Sequence, residues 1–92
     1  MSVDNGKTLK SEFEEAIARS DKLPKQPVDT QLELYGLYKQ ALFGDVTGER
    51  PGRLKVKDRA KFDNWESRKG MLKEDAMKAY ITLIEKLEQE KK

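Results

Sequence analysis

The sequence predicts an all-α domain: four amphipathic helices in a bundle, with one long loop between the second and third helices. Four segments repeat their apolar residues at the three- and four-residue spacing of a helix, and no segment shows the alternation of a strand. Prolines and glycines separate these segments. A chain of 92 residues can bury one modest core, so we expect a single domain.

The first helix follows a polar stretch, residues 1–7, which we expect to be a disordered N-terminus ahead of a domain at residues 8–90. Thr8 or Ser11 can begin this helix, and Ser11 with Glu14 has the spacing of a capping box. Core packing is the simplest interpretation of its one narrow apolar face, which consists of Leu9, Phe13, Ala16, Ile17 and Ser20.

The second helix is expected after Pro24 and Pro27, which bracket a connection that cannot continue a helix. Thr30 and Glu33 have the spacing of a second capping box, and Gly44 is a natural C-terminal stop. This helix should therefore end at the glycine that opens the long loop.

The apolar arc of the second helix is wider than a core requires. An ordinary buried stripe is formed by Leu34, Leu37, Tyr38 and Ala41. Leu32, Tyr35 and Lys39 extend that stripe onto a flank, with Tyr35 and Lys39 one turn apart. Burying an unpaired ammonium is costly, so Lys39 either extends into water or meets an anion. From this helix alone, extension into water is the simpler interpretation.

The loop at residues 44–56 contains three glycines and a proline and is long for so small a domain. We expect it to be an ordered crossing loop or a functional one. The third helix should begin at Lys57 or Asp58 and stop by Gly70.

The third helix places a second lysine beside aromatic residues. Lys61, Phe62 and Trp65 lie on one side of it. Because tryptophan is large and apolar, we interpret Trp65 as a core residue rather than a contact residue.

The fourth helix is predicted from about Lys73 to Gln89. Glu74 and Asp75 stand in its first turn, where acidic side chains favour the helix dipole. Its buried face should consist of Ala76, Met77, Tyr80, Ile81, Leu83, Ile84 and Leu87.

Composition excludes several functional classes. The chain has no cysteine and no histidine, which removes disulfides, thiolate nucleophiles, imidazole acid–base chemistry and the usual zinc and haem ligand sets. The net charge is only +2, less than a nonspecific nucleic-acid binder usually carries. No apolar run approaches the ~20 residues that cross a bilayer, and we expect neither a secretory nor a lipidation signal. We therefore expect a cytoplasmic protein without stable membrane insertion.

Catalytic signals are weak throughout. The carboxylates are interleaved with lysines on solvated helix faces, where weak pairs one turn apart are their simplest interpretation. The glycines of the long loop lack the spacing and the preceding strand of a phosphate-binding loop. We expect no catalytic residues and no metal site.

Four motifs in order resemble the acyl-CoA-binding protein family: LYGLYKQALFGD, ERPG, KDRAKFDNW and KEDAMKAYI. The resemblance runs from about Phe13 to Leu87 and is specific only because the motifs occur together. It implies a four-helix up-down-down-up bundle with a long second loop. The implied activity is reversible binding of medium- and long-chain fatty acyl-CoA esters without turnover or cofactor. Such a protein would be a monomeric carrier that also forms a pool of acyl-CoA.

The resemblance also assigns residues to the charged end of the ligand. Lys39 would pair with the 3′-phosphate of the CoA ribose, with Tyr35 supporting it. Lys61 would meet the nucleotide, and Lys57 would contribute from the start of the third helix. Tyr80 would contact the adenine end, although a position in the core remains an alternative for it.

The remaining implied residues are apolar or aromatic. Leu32, Phe13 and Ile17 would line the groove for the acyl chain and the pantetheine arm, and Tyr38 would belong to the same site. Phe62 stands where the family commonly has tryptophan, which keeps an apolar surface but loses the indole N–H. Ile17 stands where a small residue is frequent, which bears on the preferred chain length.

Two other functional classes compete with this assignment. A small helical adaptor for a protein or nucleic-acid partner could use the same patch of lysines and aromatic rings. Enzymatic thioester hydrolysis would need a nucleophile–base pair, which the sequence does not offer.

Overall fold

The computed structural model describes residues 7–90, so the predicted disorder of the N-terminus falls almost wholly outside the described residues. Within these residues four helices make up the fold: α1 (Leu9–Ser20), α2 (Val28–Phe43), α3 (Val56–Glu66) and α4 (Lys73–Glu90). Residues 7–90 contain no strand. The predicted four-helix up-down-down-up bundle with a long loop between α2 and α3 is confirmed.

The start of α1 is fixed by Thr8 rather than by Ser11. The Thr8 hydroxyl accepts a hydrogen bond from the Ser11 backbone N–H at 3.1 Å, and the Ser11 hydroxyl accepts one from the Thr8 N–H at 3.0 Å. The capping box therefore joins these two residues, and the predicted box between Ser11 and Glu14 is wrong.

The start of α2 differs from the prediction in kind. The helix begins at Val28, and Pro27 at its N-cap offers no side-chain acceptor. Thr30 and Glu33 lie inside the helix, so their predicted capping box is wrong. The predicted stop at Gly44 is confirmed: its φ of +79° suits glycine, and its N–H donates to the Gln40 carbonyl at 3.0 Å.

The observed start and end of α3 also differ from the predicted ones. It begins at Val56, just ahead of the expected start, and its last helical residue is Glu66, after which turns lead to Gly70 at φ +92°. None of its residues is buried. Trp65 is half-buried, so its interpretation as a core residue is wrong. Its indole N–H donates to the Gly44 carbonyl at 2.8 Å instead.

The apolar core lies where α4 packs against α1 on one side and α2 on the other. Its buried members are Phe13, Ala16, Leu37, Ala41, Ala76, Tyr80 and Ile84. Most of the predicted α4 face is confirmed, with Met77, Ile81 and Leu83 partly buried against this cluster. In the described part of the chain, α3 packs only against α2. The helices are therefore ordered α1, α4, α2, α3 across the molecule.

The long loop is fastened at its start by polar contacts. Gln40 is completely buried, and its amide N–H₂ donates to Asp45 Oδ1 at 2.9 Å and to the Met71 carbonyl at 2.8 Å. Asp45 Oδ1 also accepts from the Gly70 N–H at 2.8 Å. One carboxylate thus joins the end of α2 to the turn that precedes α4. These hydrogen bonds, the Gly70 N–H first, hold the pKa of Asp45 below its ordinary value.

A second contact joins the middle of the loop to α3. The Arg50 guanidinium donates twice to the Asp63 carboxylate, at 2.7 and 2.6 Å. This two-pronged pairing lowers the pKa of Asp63 and orders the loop against the outer helix. The prediction of an ordered crossing loop agrees with these contacts.

Candidate functional site

Tyr35 is the central side chain of the site. Tyr35, Lys39 and Phe43 follow one another at one-turn spacing on α2, and Trp65 approaches from α3. The Lys39 ammonium lies 5.7 Å from the centre of the Tyr35 ring, 4.6 Å from that of Phe43 and 5.3 Å from that of Trp65. Lys39 is half-buried, and three aromatic faces attract its charge.

A second ammonium reaches the same tyrosine from the neighbouring helix. Lys61 of α3 places its ammonium 5.5 Å from the centre of the Tyr35 ring. This meeting requires close packing of α2 and α3. Gly36 supplies it, since a Cβ at that position would lie only 2.8 Å from the Asn64 carbonyl oxygen. The glycine next to Tyr35 therefore lets Lys61 reach the ring that Lys39 already meets from the same helix.

A groove of about 570 Å³ opens between the N-terminal halves of α2 and α3, and we name it the α2–α3 groove. Of the predicted residues it brings together Leu32, Tyr35, Lys57 and Lys61. Its other lining residues are Lys25, Val28, Gln31, Val56 and Ala60. The groove is apolar along its length and carries cations at its rim.

A smaller hollow of about 350 Å³ lies on the other side of Tyr35, between α2 and the end of α1. Tyr38 and Tyr80 are among its lining residues. Tyr80 is nevertheless a core residue, only 4% exposed, and burial raises the pKa of its hydroxyl. Most of the Tyr80 ring therefore lies in the core, as the alternative interpretation proposed. Its contact with adenine stays a prediction.

Phe62 lines a third hollow of about 270 Å³, which it shares with Tyr35, Pro51 and Lys61. Phe13 and Ile17 lie apart from all three cavities. Phe13 is 1% exposed, with its ring edge-on to Tyr80 at 5.2 Å. Ile17 packs partly buried against the core. Their assignment to the acyl groove stays a prediction.

Sequence reasoning missed Gln31 and Ala60 of the groove lining. It also missed four other residues of this surface: Lys25, Val28, Phe43 and Val56. Two lie at helix starts that were not predicted, Val28 for α2 and Val56 for α3. Lys25 stands between two prolines in a segment without periodicity, so nothing in the sequence indicated its direction. Phe43 had a usable signal, because it follows Lys39 by one helical turn.

Residues 7–90 contain neither a membrane-spanning helix nor a metal-binding cluster. No helix within residues 7–90 is long and apolar enough to cross a membrane. The same residues contain no cluster of three or more acidic side chains that could hold a metal ion.

Comparison with known proteins agrees with the resemblance seen in the motifs. The family described as "Acyl CoA binding protein" matches residues 10–84. The acyl-CoA-binding protein of Saccharomyces cerevisiae is 49% identical over 76 residues, which cover 82% of this chain and 87% of the yeast protein.

Two crystal structures have the same fold. Oryza sativa acyl-CoA-binding protein 2 superposes with a TM-score of 0.89 at 45% identity, covering 91% of this chain and 94% of the rice chain. The protein from Moniliophthora perniciosa superposes with a TM-score of 0.83 at 34% identity, covering 88% and 81% of the two chains. The chain belongs to the acyl-CoA-binding protein family.

Proposed function

We propose that the protein binds fatty acyl-CoA esters of medium and long chain and acts as their carrier and pool former, without turning them over. The observation that carries the proposal is the Tyr35 ring beneath the ammonium groups of Lys39 and Lys61, at one end of an apolar groove. An acyl-CoA has the matching form, a phosphorylated nucleotide at one end and a hydrocarbon chain at the other. Membership of the family supports the same ligand class.

The charged end of the ligand is assigned to the lysines. Lys39 pairs with the 3′-phosphate, with Tyr35 beside it, and Lys61 and Lys57 face the nucleotide. Three aromatic rings restrain the Lys39 ammonium but carry no net charge, so they leave its full positive charge for an anion. Charge-assisted hydrogen bonds to phosphate are among the stronger polar contacts available to a protein.

The apolar end of the ligand is assigned to the α2–α3 groove. Leu32 lines its wall, and Val28 and Val56 at its edge are 67% and 70% exposed. Exposed apolar side chains beside a groove gain free energy when a hydrocarbon covers them. Phe13, Ile17, Tyr38, Phe62 and Tyr80 remain proposed contributors to the site.

The discriminating experiment is calorimetric titration with a chain-length series of acyl-CoA esters. Each methylene buried contributes up to ~0.8 kcal/mol, so affinity should rise steeply from butyryl- to dodecanoyl-CoA and then level off. Equal affinity for free CoA and dodecanoyl-CoA would exclude an acyl groove. Titration with a single-stranded RNA separates this function from that of a nucleic-acid adaptor, for which RNA would be the better ligand.

Binding without turnover has its own test. Incubation with palmitoyl-CoA should release free thiol no faster than buffer alone, because the sequence offers no nucleophile–base pair. Thiol release that depends on a particular carboxylate would contradict a carrier. As a monomeric cytoplasmic carrier, the protein should also elute as one copy in size-exclusion chromatography with and without ligand.

A further inference from the structure

Phe43, the last residue of α2, is a large apolar side chain that the fold leaves 59% exposed. It is not part of the apolar core, and it lines none of the three cavities around Tyr35. The Lys39 ammonium lies 4.6 Å from the centre of its ring. Of the three aromatic rings around that ammonium, Phe43 is the closest.

The Phe43 ring is held in place from behind. It packs against Trp65, with ring centres 6.2 Å apart and planes inclined at 50°. Trp65 in turn donates its indole N–H to the Gly44 carbonyl at 2.8 Å. The backbone at the end of α2 thus fixes the tryptophan, the tryptophan supports the phenylalanine, and both rings meet the lysine.

This support differs from an ordinary ion pair. Within residues 7–90, no carboxylate forms a salt bridge with Lys39. A carboxylate partner would neutralise the ammonium and repel a phosphate. Aromatic faces attract a cation through their quadrupole and carry no net charge. They can therefore restrict the four-carbon stem of a lysine while leaving its charge available.

We propose that Phe43 is a positioning residue, which holds the Lys39 ammonium in the place where it meets the 3′-phosphate of the ligand. This inference rests on the proposed function. A lysine restrained before binding loses less side-chain entropy when the phosphate arrives. Phe43 therefore adds to the discrimination between acyl-CoA and the same ester without its 3′-phosphate. If the ring merely covered Trp65, its loss would weaken both ligands alike.

The test uses the discrimination ratio, the Kd for dodecanoyl-dephospho-CoA divided by the Kd for dodecanoyl-CoA. Phe43→Leu keeps apolar bulk and helix preference but removes the aromatic face, and it should lower this ratio about two- to fivefold. Phe43→Tyr restores the aromatic face and should keep the wild-type ratio. Leu42→Ala, the preceding exposed residue on the same helix, is the matched control and should also keep it. In a Lys39→Met background, Phe43→Leu should leave the ratio unchanged.

Each result separates the inference from the function on which it rests. Failure of the wild-type protein to bind dodecanoyl-CoA would refute the proposed function itself. Normal wild-type binding with an unchanged ratio in Phe43→Leu would overturn the positioning role alone, as would equal weakening of both ligands. NMR spectroscopy of the wild-type protein gives a test that needs no variant. Ring currents should shift the Lys39 Cε protons upfield of those of exposed lysines. Unshifted protons would also overturn the inference.

Discussion

The two sides of α2 are joined to their neighbours in different ways. Towards α4 the contact is apolar, and the residues there are almost fully buried, Leu37 at 3% and Ala41 at 1% exposure. Towards α3 the contact depends on a glycine and on the hydrogen bond from the Trp65 indole N–H to the Gly44 carbonyl, and α3 itself has no buried residue. The residues proposed for the charged end of the ligand, Tyr35, Lys39, Lys57 and Lys61, lie on that second side, whereas Phe13 and Tyr80 belong to the core. Stability and the recognition of the charged end are therefore expected to depend on opposite faces of one helix.

This division has a physical basis. Burial of apolar surface is non-directional and scales with area, so a core tolerates no gaps but requires no particular contact. A ligand with phosphates requires cations at fixed places, which directional contacts with aromatic rings and a close helix crossing provide. Substitutions that target one side should separate the two properties.

The largest expected effect lies in the core. Ile84 is completely buried, and Ile84→Ala should cost roughly 2–5 kcal/mol of unfolding free energy through lost burial and a residual cavity. Urea denaturation measures this directly. Leu72→Ala, at a site 64% exposed, is the control and should change stability by about 0.5 kcal/mol or less. A cost as small for Ile84 as for Leu72 would refute the assignment of the core.

The next effect concerns binding rather than stability. Lys39→Ala should weaken acyl-CoA binding by roughly 2–4 kcal/mol, because a charge-assisted contact beside apolar surface is lost. Against an acyl-dephospho-CoA the same substitution should change the binding free energy little. Comparing both proteins with both ligands therefore gives the coupling free energy between Lys39 and the 3′-phosphate. Circular dichroism should report an intact fold. If coupling is near zero in a folded variant, the phosphate lies elsewhere, and Lys61 and Lys57 become the candidates.

A third substitution tests the joint between α2 and α3. In Gly36→Ala the new Cβ would meet the Asn64 backbone oxygen at 2.8 Å, so α3 has to shift. Overpacking of this kind costs about 1–3 kcal/mol, against up to about 1 kcal/mol gained from helix propensity. We expect a small net loss of stability and a clear loss of acyl-CoA affinity, as Lys61 moves away from Tyr35. Thermal unfolding and calorimetry measure the two.

If Gly36→Ala lowers stability and leaves affinity unchanged, the close crossing does not serve the site. Ala60→Gly, on the groove side of α3, is a useful companion. It should cost about 1 kcal/mol of stability through helix propensity alone, and it introduces no clash.

The fold was predictable from the sequence largely because periodicity identifies helices well. The four segments, the stop at Gly44 and the buried face of α4 follow from spacing and from one glycine. The start of α2 was not predictable in this way. The helix begins at Val28 without a side-chain cap, whereas the sequence offers capping-box spacing only later, at Thr30. Trp65 was wrongly predicted to be a core residue because size and hydrophobicity indicate burial, whereas the half-buried side chain donates its indole N–H to the Gly44 carbonyl at the end of α2.

The site was predictable along α2 and much less so across helices. Tyr35 and Lys39 share a helix, so their separation is fixed by helix geometry. The approach of Lys61 to the same ring depends on how closely α3 crosses at Gly36, which spacing alone does not reveal. Lys25 reaches the groove from an irregular connection, whose direction is set by tertiary packing.

The smallest expected effect is the acid sensitivity of the polar link at the start of the long loop. The folded pKa of Asp45 lies below its ordinary value of 3.8, mainly because the charged form accepts the Gly70 N–H and the Gln40 amide. The stability that the Asp45 carboxylate contributes is therefore present above the unfolded pKa and is lost as pH falls through the folded pKa.

The variant Asp45→Asn tests this contribution. Both donors meet Oδ1, so the asparagine keeps an acceptor in place that does not titrate. The variant should be slightly less stable than wild type near pH 7 and should lose less stability on acidification below pH 3.8. Urea midpoints at several pH values measure the difference, with Glu49→Gln in the same exposed loop as the control. Parallel pH curves for Asp45→Asn and wild type would mean that this carboxylate does not fasten the loop. The Arg50–Asp63 pair, where the pKa of the carboxyl is also lowered, would then be the next link to test.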